Sequence, residues 1–184
     1  DYLCQVLYYM MTGFQDIYNY VLSHPGIPDK DHCEDGSIGS LEFPKKVKPL
    51  PKDLQFYIKV VDVAIKPNAF HEGVWHVEGL PEEHIVATGI YYLDCPLESK
   101  ILYKRDYTVN ESEFLYYNIN QHAPRSYDNV LRHSHLPLGE VTITGSSMLF
   151  FPNTHIHKVQ PIYNNTAKTI HRQCIVFFMV DPDI

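Results

Sequence analysis

Cysteine is scarce in this chain of 184 residues. Cys4, Cys33, Cys95 and Cys174 lie far apart, and no two of them form a CxxC pair. Disulfide frameworks and zinc–thiolate sites usually show closer spacing. We therefore expect scattered reduced thiols and an intracellular protein, cytoplasmic or nuclear.

Long apolar runs are also missing. The longest, residues 175–180, is typical of a buried strand and is far shorter than the roughly 20 residues of a membrane-spanning helix. This predicts that the protein has no membrane partner. The chain starts Asp-Tyr-Leu-Cys, with neither an initiator Met nor a basic leader, so we expect a piece of a longer protein.

Positively charged residues are fewer than negatively charged ones. The sequence has 15 Lys and Arg against 22 Asp and Glu, a net charge of −7. Its basic residues are scattered, apart from a group between residues 45 and 52. A protein of this sign is poorly suited to bind a phosphate backbone, so nucleic acid is disfavoured as a partner.

Apolar and aromatic residues are abundant, with 45% hydrophobic residues, 14 Tyr and 9 Phe. This composition can fill the core of one domain. Apolar residues spaced three and four apart predict an amphipathic helix over residues 2–23. A linker rich in Pro, Gly, Asp and Lys follows over 25–52. We expect residues 1–53 to pack as helix and linker on a core formed by 54–184.

Short β-favouring segments separated by turn residues fill the rest of the chain. This pattern predicts a mainly β fold with one N-terminal helix, either an antiparallel sandwich or a jelly roll. The long polar stretch from Asn110 to Pro137 is interpreted as a functional loop or lid. The predicted strands are Leu54–Lys66, His84–Asp94, Lys100–Thr108, Gly139–Thr144, Ser147–Phe151, His155–Tyr163 and His171–Asp181.

The segment Trp75-His76-Val77-Glu78 is the first candidate metal motif. In an extended segment, residues two apart face the same side, so His76 and Glu78 can hold one ion. A His from an opposing strand would complete two imidazoles and one carboxylate, a set that suits Fe(II) and leaves positions open. His71 and His76 are five residues apart, which departs from the HExxH spacing and argues against a zinc protease.

The later motif strengthens this interpretation. His157-Lys-Val-Gln-Pro161, followed by Arg172, resembles the second half of the 2-oxoglutarate/Fe(II) dioxygenase superfamily. Residues 75–92, WHVEGLPEEHIVATGIYY, and 150–182, with FFPN, HR and VDP, are similar to a mostly fungal branch of that superfamily known only as a domain of unknown function.

The resemblance implies a double-stranded β-helix, a jelly roll of the cupin kind, and an oxygenase. His76, Glu78 and His157 would form the catalytic centre and bind Fe(II). Arg172 would bind the 5-carboxylate of 2-oxoglutarate, O2 would be the oxidant, and succinate and CO2 would be released. Glu78 stands where the superfamily usually has Asp. His157 is preferred to His155 because it alone precedes the Lys-Val-Gln-Pro register.

Four further residues are candidates for the walls of the site. Trp75 is a candidate wall of the site, and His84, Thr88 and Tyr92 are candidates for one pocket-lining face. The substrate could be a small molecule or a protein side chain, and the oligomeric state is not set by the sequence. Two alternatives are a non-catalytic jelly-roll binding module, with 107–127 as its contact surface, and a metal-dependent cupin enzyme that needs no 2-oxoglutarate.

Overall fold

The structure is a computed structural model that describes residues 2–23, 49–106, 135–182 and 184. It consists of one long helix, one 3-10 turn and nine strands in these residues. The elements are α1 (Tyr2–Ser23), β1 (Phe56–Ile65), β2 (Phe70–His71), the 3-10 turn (Pro81–Glu83), β3 (Ile85–Asp94), β4 (Ser99–Asp106), β5 (His135–Ile143), β6 (Met148–Pro152), β7 (Ile156–Val159), β8 (Ile162–Tyr163) and β9 (Ile170–Val180).

Strands pair antiparallel in two main sheets. One sheet has four strands in the order β1-β9-β3-β6, and the other has three in the order β5-β4-β7. Strands β2 and β8 form a separate short pair. Residues of both main sheets, among them Tyr92 and Phe178 from the first and Ile101 and Tyr103 from the second, share one buried cluster. The core therefore lies between the two sheets, as in a β-sandwich.

The helix α1 covers the other side of the four-stranded sheet. Met10 and Phe14 are fully buried there against Tyr91 and Met179. This contact is so close that a Cβ on Gly89 of β3 would come within 2.8 Å of the Phe14 ring. The amphipathic spacing that predicts the helix therefore marks the face that packs on the sheet.

The fold is mainly β, with antiparallel sheets and an N-terminal helix, Tyr2–Ser23, which confirms these predictions from the sequence. The single strand expected over His155–Tyr163 is wrong, because β7 ends before Gln160-Pro161 and β8 pairs elsewhere. Proline has no N–H to donate, so a ladder often ends beside it.

Part of the expected long loop is also strand. Residues 135–137 belong to β5, where they pair with the end of β4. Pro137 is tolerated there because β5 is an edge strand. The rest of that loop, the contact surface over 107–127 and most of the linker lie outside the described residues. Within the described part of the chain, no helix combines the length and the apolar character needed to cross a membrane.

Candidate metal centre

His76, Glu78 and His157 come together at one point. One potential ligand atom from each lies within 4.8 Å of the others. The backbones of His76 and His157 form an antiparallel bridge, with hydrogen bonds of 3.1 and 2.9 Å, and the two rings lie 4.4 Å apart. Directly paired residues of an antiparallel bridge project to the same face. The extended segment that carries His76 therefore lies antiparallel beside β7.

The carboxylate of Glu78 lies between the two imidazoles. Its Oε1 is 3.2 Å from Nε2 of His157 and 3.6 Å from Nε2 of His76. Burial raises the pKa of Glu78, but hydrogen bonds from His157 and His76 outweigh it and hold the value at about 2. Glu78 is therefore ionised at neutral pH and can serve as an anionic oxygen ligand.

Both imidazoles are oriented by backbone carbonyls. The Nδ1 of His76 lies 2.8 Å from the Val74 carbonyl, and the Nδ1 of His157 lies 3.2 Å from the His155 carbonyl. A carbonyl only accepts hydrogen bonds, so each Nδ1 carries the proton. Each Nε2 then donates to Glu78 when the ring is protonated, and a bound metal would replace that proton and take the Nε2 lone pair. This is the usual arrangement of a metal-binding histidine.

The three groups differ in burial. The His157 side chain is 5% exposed, that of Glu78 is 15% exposed and that of His76 is 44% exposed. The cluster is therefore closed on the core side and open on the His76 side. Two imidazoles and a carboxylate that converge from one side fit a divalent transition metal with free positions.

Asn153 is a site residue that the sequence did not identify. Its Oδ1 accepts the Glu78 N–H at 2.9 Å, and its Nδ2 donates to the carbonyls of Glu78 and Ile85 at 2.9 and 3.0 Å. The side chain thus holds the backbone of Glu78 against the start of β3. The FPN motif contains Asn153, but its partner is 75 residues away and no local pattern reveals it.

Arg172 is buried in the core between the sheets. Its guanidinium donates to the Tyr92 hydroxyl at 3.2 Å and lies 4.8 Å from the centre of that ring. In the described part of the chain it has no carboxylate partner, and its Nε has no hydrogen-bond partner. Burying an unpaired positive charge costs free energy, and a bound anion would offset that cost.

Arg172 and His157 were expected to lie on neighbouring strands. They lie instead in different sheets, His157 on β7 and Arg172 on β9. The inserted turn between them is closed by Asn164, whose Nδ2 donates to the carbonyls of Ile65 and Lys168. Burial raises the pKa of the Cys174 thiol, and the positive charge of Arg172 partly opposes this.

Of the four candidates for the walls of the site, two project into the core and two do not. Thr88 and Tyr92 are buried, and both project from β3 into the core between the sheets. His84 does not continue their face, because it is an exposed residue that ends the 3-10 turn with φ 50° before β3 begins. The Trp75 side chain contacts two lysines instead of the cluster: the ammonium nitrogens of Lys104 and Lys158 lie 4.6 and 5.4 Å from the centre of its ring.

His155 is not part of the three-residue cluster. Its ring lies 6.3 Å from that of Tyr103. Burial, with the charges of Arg105 and His157, lowers the pKa of His155 to about 4. It is therefore neutral at physiological pH, beside the cluster.

The family model that matches this chain is "Protein of unknown function (DUF4246)", over residues 20–184. No curated protein matches. Among solved structures, the chain is 13% identical to PirA (65% of this chain, 92% of that one, TM-score 0.28). It is 9% identical to a chain of Bacillus endospore appendages, which form disulfide-linked pili; the match covers 70% of this chain and 92% of that one, with a TM-score of 0.29. It is 10% identical to the Yersinia pseudotuberculosis-derived mitogen, where the match covers 70% of this chain and 89% of that one, with a TM-score of 0.31. These structural likenesses are too slight to inform function. The family match covers nearly the whole chain, so the protein belongs to the DUF4246 family.

Proposed function

We propose that this protein is an Fe(II)- and 2-oxoglutarate-dependent oxygenase that acts on an unidentified substrate. The observation that carries the proposal is the convergence of His76, Glu78 and His157, with both Nε2 atoms directed at the carboxylate. Two imidazoles and one carboxylate form the facial ligand set of non-haem Fe(II) oxygenases.

The buried guanidinium of Arg172 supports 2-oxoglutarate as the cosubstrate. A guanidinium pairs with a carboxylate through two parallel hydrogen bonds, and Arg172 is buried without such a partner in the described residues. A dicarboxylate whose other end reaches the metal would neutralise it. The proposal therefore assigns Arg172 to the distal carboxylate of 2-oxoglutarate.

The same proposal includes the jelly-roll winding. Support comes from the way the chain alternates between the facing sheets: β3 lies in the first, β4 and β5 in the second, β6 in the first, β7 in the second and β9 in the first. With this alternation, His157 and Arg172 lie in the two sheets that enclose the core.

The roles of the chain follow from these positions. When bound, Fe(II) with 2-oxoglutarate and O2 would supply the hydroxylation of a C–H bond, in which one oxygen atom enters the substrate and the other enters succinate as CO2 is lost. Glu78 and the two histidines hold the metal from one side, and Arg172 orients the keto acid. The Phe151 ring, 4.6 Å from that of His157, excludes water from the core side.

The test is succinate formation by the purified chain with Fe(II), 2-oxoglutarate and ascorbate, with and without candidate substrates. We expect slow uncoupled turnover in the wild type, and its loss in His76→Ala and His157→Ala, because two protein ligands hold the metal poorly. His171→Ala removes an exposed histidine of β9 and serves as the control. Metal binding without any succinate would contradict the proposal and favour a metal-dependent enzyme or binding module that uses no keto acid.

A further inference from the structure

We propose that Tyr103 is a binding residue for the keto acid, and that its phenol donates a hydrogen bond to the ligand held between the metal centre and Arg172. This inference rests on the proposed function and adds a residue that neither the motifs nor the family match identified.

The position of Tyr103 follows from strand register. Strand β4 pairs with β7 so that Tyr103 lies directly opposite His157. Their rings are 6.0 Å apart, and the Tyr103 ring also packs 5.3 Å from that of Phe151. Paired residues project to the same face, so Tyr103 projects into the core from the strand beside the metal ligand.

The hydroxyl of Tyr103 has no hydrogen-bond partner among the described residues, although the residue is only 8% exposed. A buried hydroxyl normally has a partner, because leaving it unpaired loses the hydrogen bonds that water would make. An unpaired phenol facing the core therefore indicates that a ligand or a bound water completes the site.

Other polar atoms in the same core show what that ligand must offer. The Nε of Arg172 and the hydroxyl of Thr88 also lack partners within the described residues. Arg172 can only donate, and the two hydroxyls can donate. Burial raises the pKa of Tyr103, and the neighbouring Tyr92 raises it further, so the phenol keeps its proton and remains a donor. A ligand rich in acceptor oxygens, such as a keto dicarboxylate, satisfies this set.

Tyr103 shares its buried cluster with Tyr92, the residue that contacts Arg172. The hydroxyl of Tyr92 accepts a hydrogen bond from the Arg172 guanidinium. Tyr103 therefore lies beside His157 of the metal centre and in the same core as the residue that contacts the buried guanidinium. We expect a dicarboxylate that reaches from the metal to Arg172 to contact the Tyr103 hydroxyl.

The test measures binding of 2-oxoglutarate by titration calorimetry to the full chain loaded with Mn(II), which takes the place of Fe(II) without turnover. Tyr103→Phe removes one oxygen and keeps the ring. We expect about tenfold weaker keto acid binding, with Mn(II) affinity and melting temperature unchanged. Tyr163→Phe, at a tyrosine that is 60% exposed, is the matched control and should bind like the wild type.

The outcomes separate the inference from the proposed function. If Tyr103→Phe binds 2-oxoglutarate like the wild type while Arg172→Leu does not, a water satisfies the phenol and this inference is overturned, but the proposed function is not. If the Mn(II)-loaded wild type does not bind 2-oxoglutarate at all, both are overturned. A Tyr103→Phe protein that loses Mn(II) binding or melting temperature in step with keto acid binding shows a structural role and also overturns the inference.

Discussion

At the scale of single residues, the side-chain amide of Asn153 makes a combination of hydrogen bonds that neither a carboxylate nor an alcohol could make. It accepts one backbone hydrogen bond and donates two, and two of the three reach Glu78 itself. A side chain that fixes the backbone of a metal ligand acts on the metal through that ligand. Partners of this kind commonly change metal affinity by about 10- to 100-fold.

Asn153→Asp should therefore weaken metal binding by about tenfold or more, because the new carboxylate cannot donate to the carbonyls of Glu78 and Ile85. The measurement is a competition titration of Mn(II) or Zn(II) with a chelating dye. Asn165→Asp adds the same charge at an exposed position and should bind metal like the wild type. Equal metal affinity in both variants would show that Asn153 does not position Glu78.

Arg172→Lys tests, also at the scale of one residue, whether the keto acid needs only the positive charge or also the planar shape of the guanidinium. Lysine keeps the positive charge but loses the planar fork that pairs with a carboxylate. We expect the KM for 2-oxoglutarate to rise about tenfold or more, while Mn(II) affinity stays constant. An unchanged KM would mean that the buried guanidinium does not contact the keto acid.

Metal affinity should also depend on pH. The hydrogen bond to Glu78 raises the pKa of His76, although burial opposes this. A raised pKa means that the metal-free protein keeps the His76 proton to higher pH, where the proton competes with the metal. Mn(II) affinity should therefore increase between about pH 6 and about pH 8. A flat titration profile across that range would contradict metal binding by His76.

At the scale of elements, the helix–sheet contact shows which part of the fold the sequence predicts best. Apolar residues three and four apart predict α1, and the same residues, Met10 and Phe14 among them, are buried on the sheet. Strand β2 could not be predicted, because it has only two residues and pairs with the equally short β8. The break between β7 and β8 was missed because the apolar pattern continues across Gln160-Pro161.

Phe14→Ala should lower the free energy of unfolding by about 3–5 kcal/mol, since the ring is fully buried between Phe56 and Phe150. Tyr8→Ala, on the exposed side of the same helix, should change it by less than about 0.5 kcal/mol. Urea denaturation of both variants measures the difference. Similar values for the two would mean that α1 does not pack on the sheet through this face.

At the scale of the whole molecule, the sandwich brings together residues that are far apart in the sequence. The pair His76 and Glu78 could be predicted from the two-residue period of extended chain, and His157 from a family motif. Asn153 and Tyr103 could not, because their roles depend on contacts between strands that no local pattern encodes. The same limit explains why His157 and Arg172 were expected on adjacent strands and lie in opposite sheets.

The most direct test of the account is the visible absorbance of the Fe(II)-loaded protein when 2-oxoglutarate is added without oxygen. Chelation of the metal by the keto acid should produce a weak charge-transfer band in the wild type. The band should be absent in His157→Ala and present in His171→Ala. Tightly bound Fe(II) with no new band on addition of 2-oxoglutarate would contradict the proposal that metal and keto acid share this site.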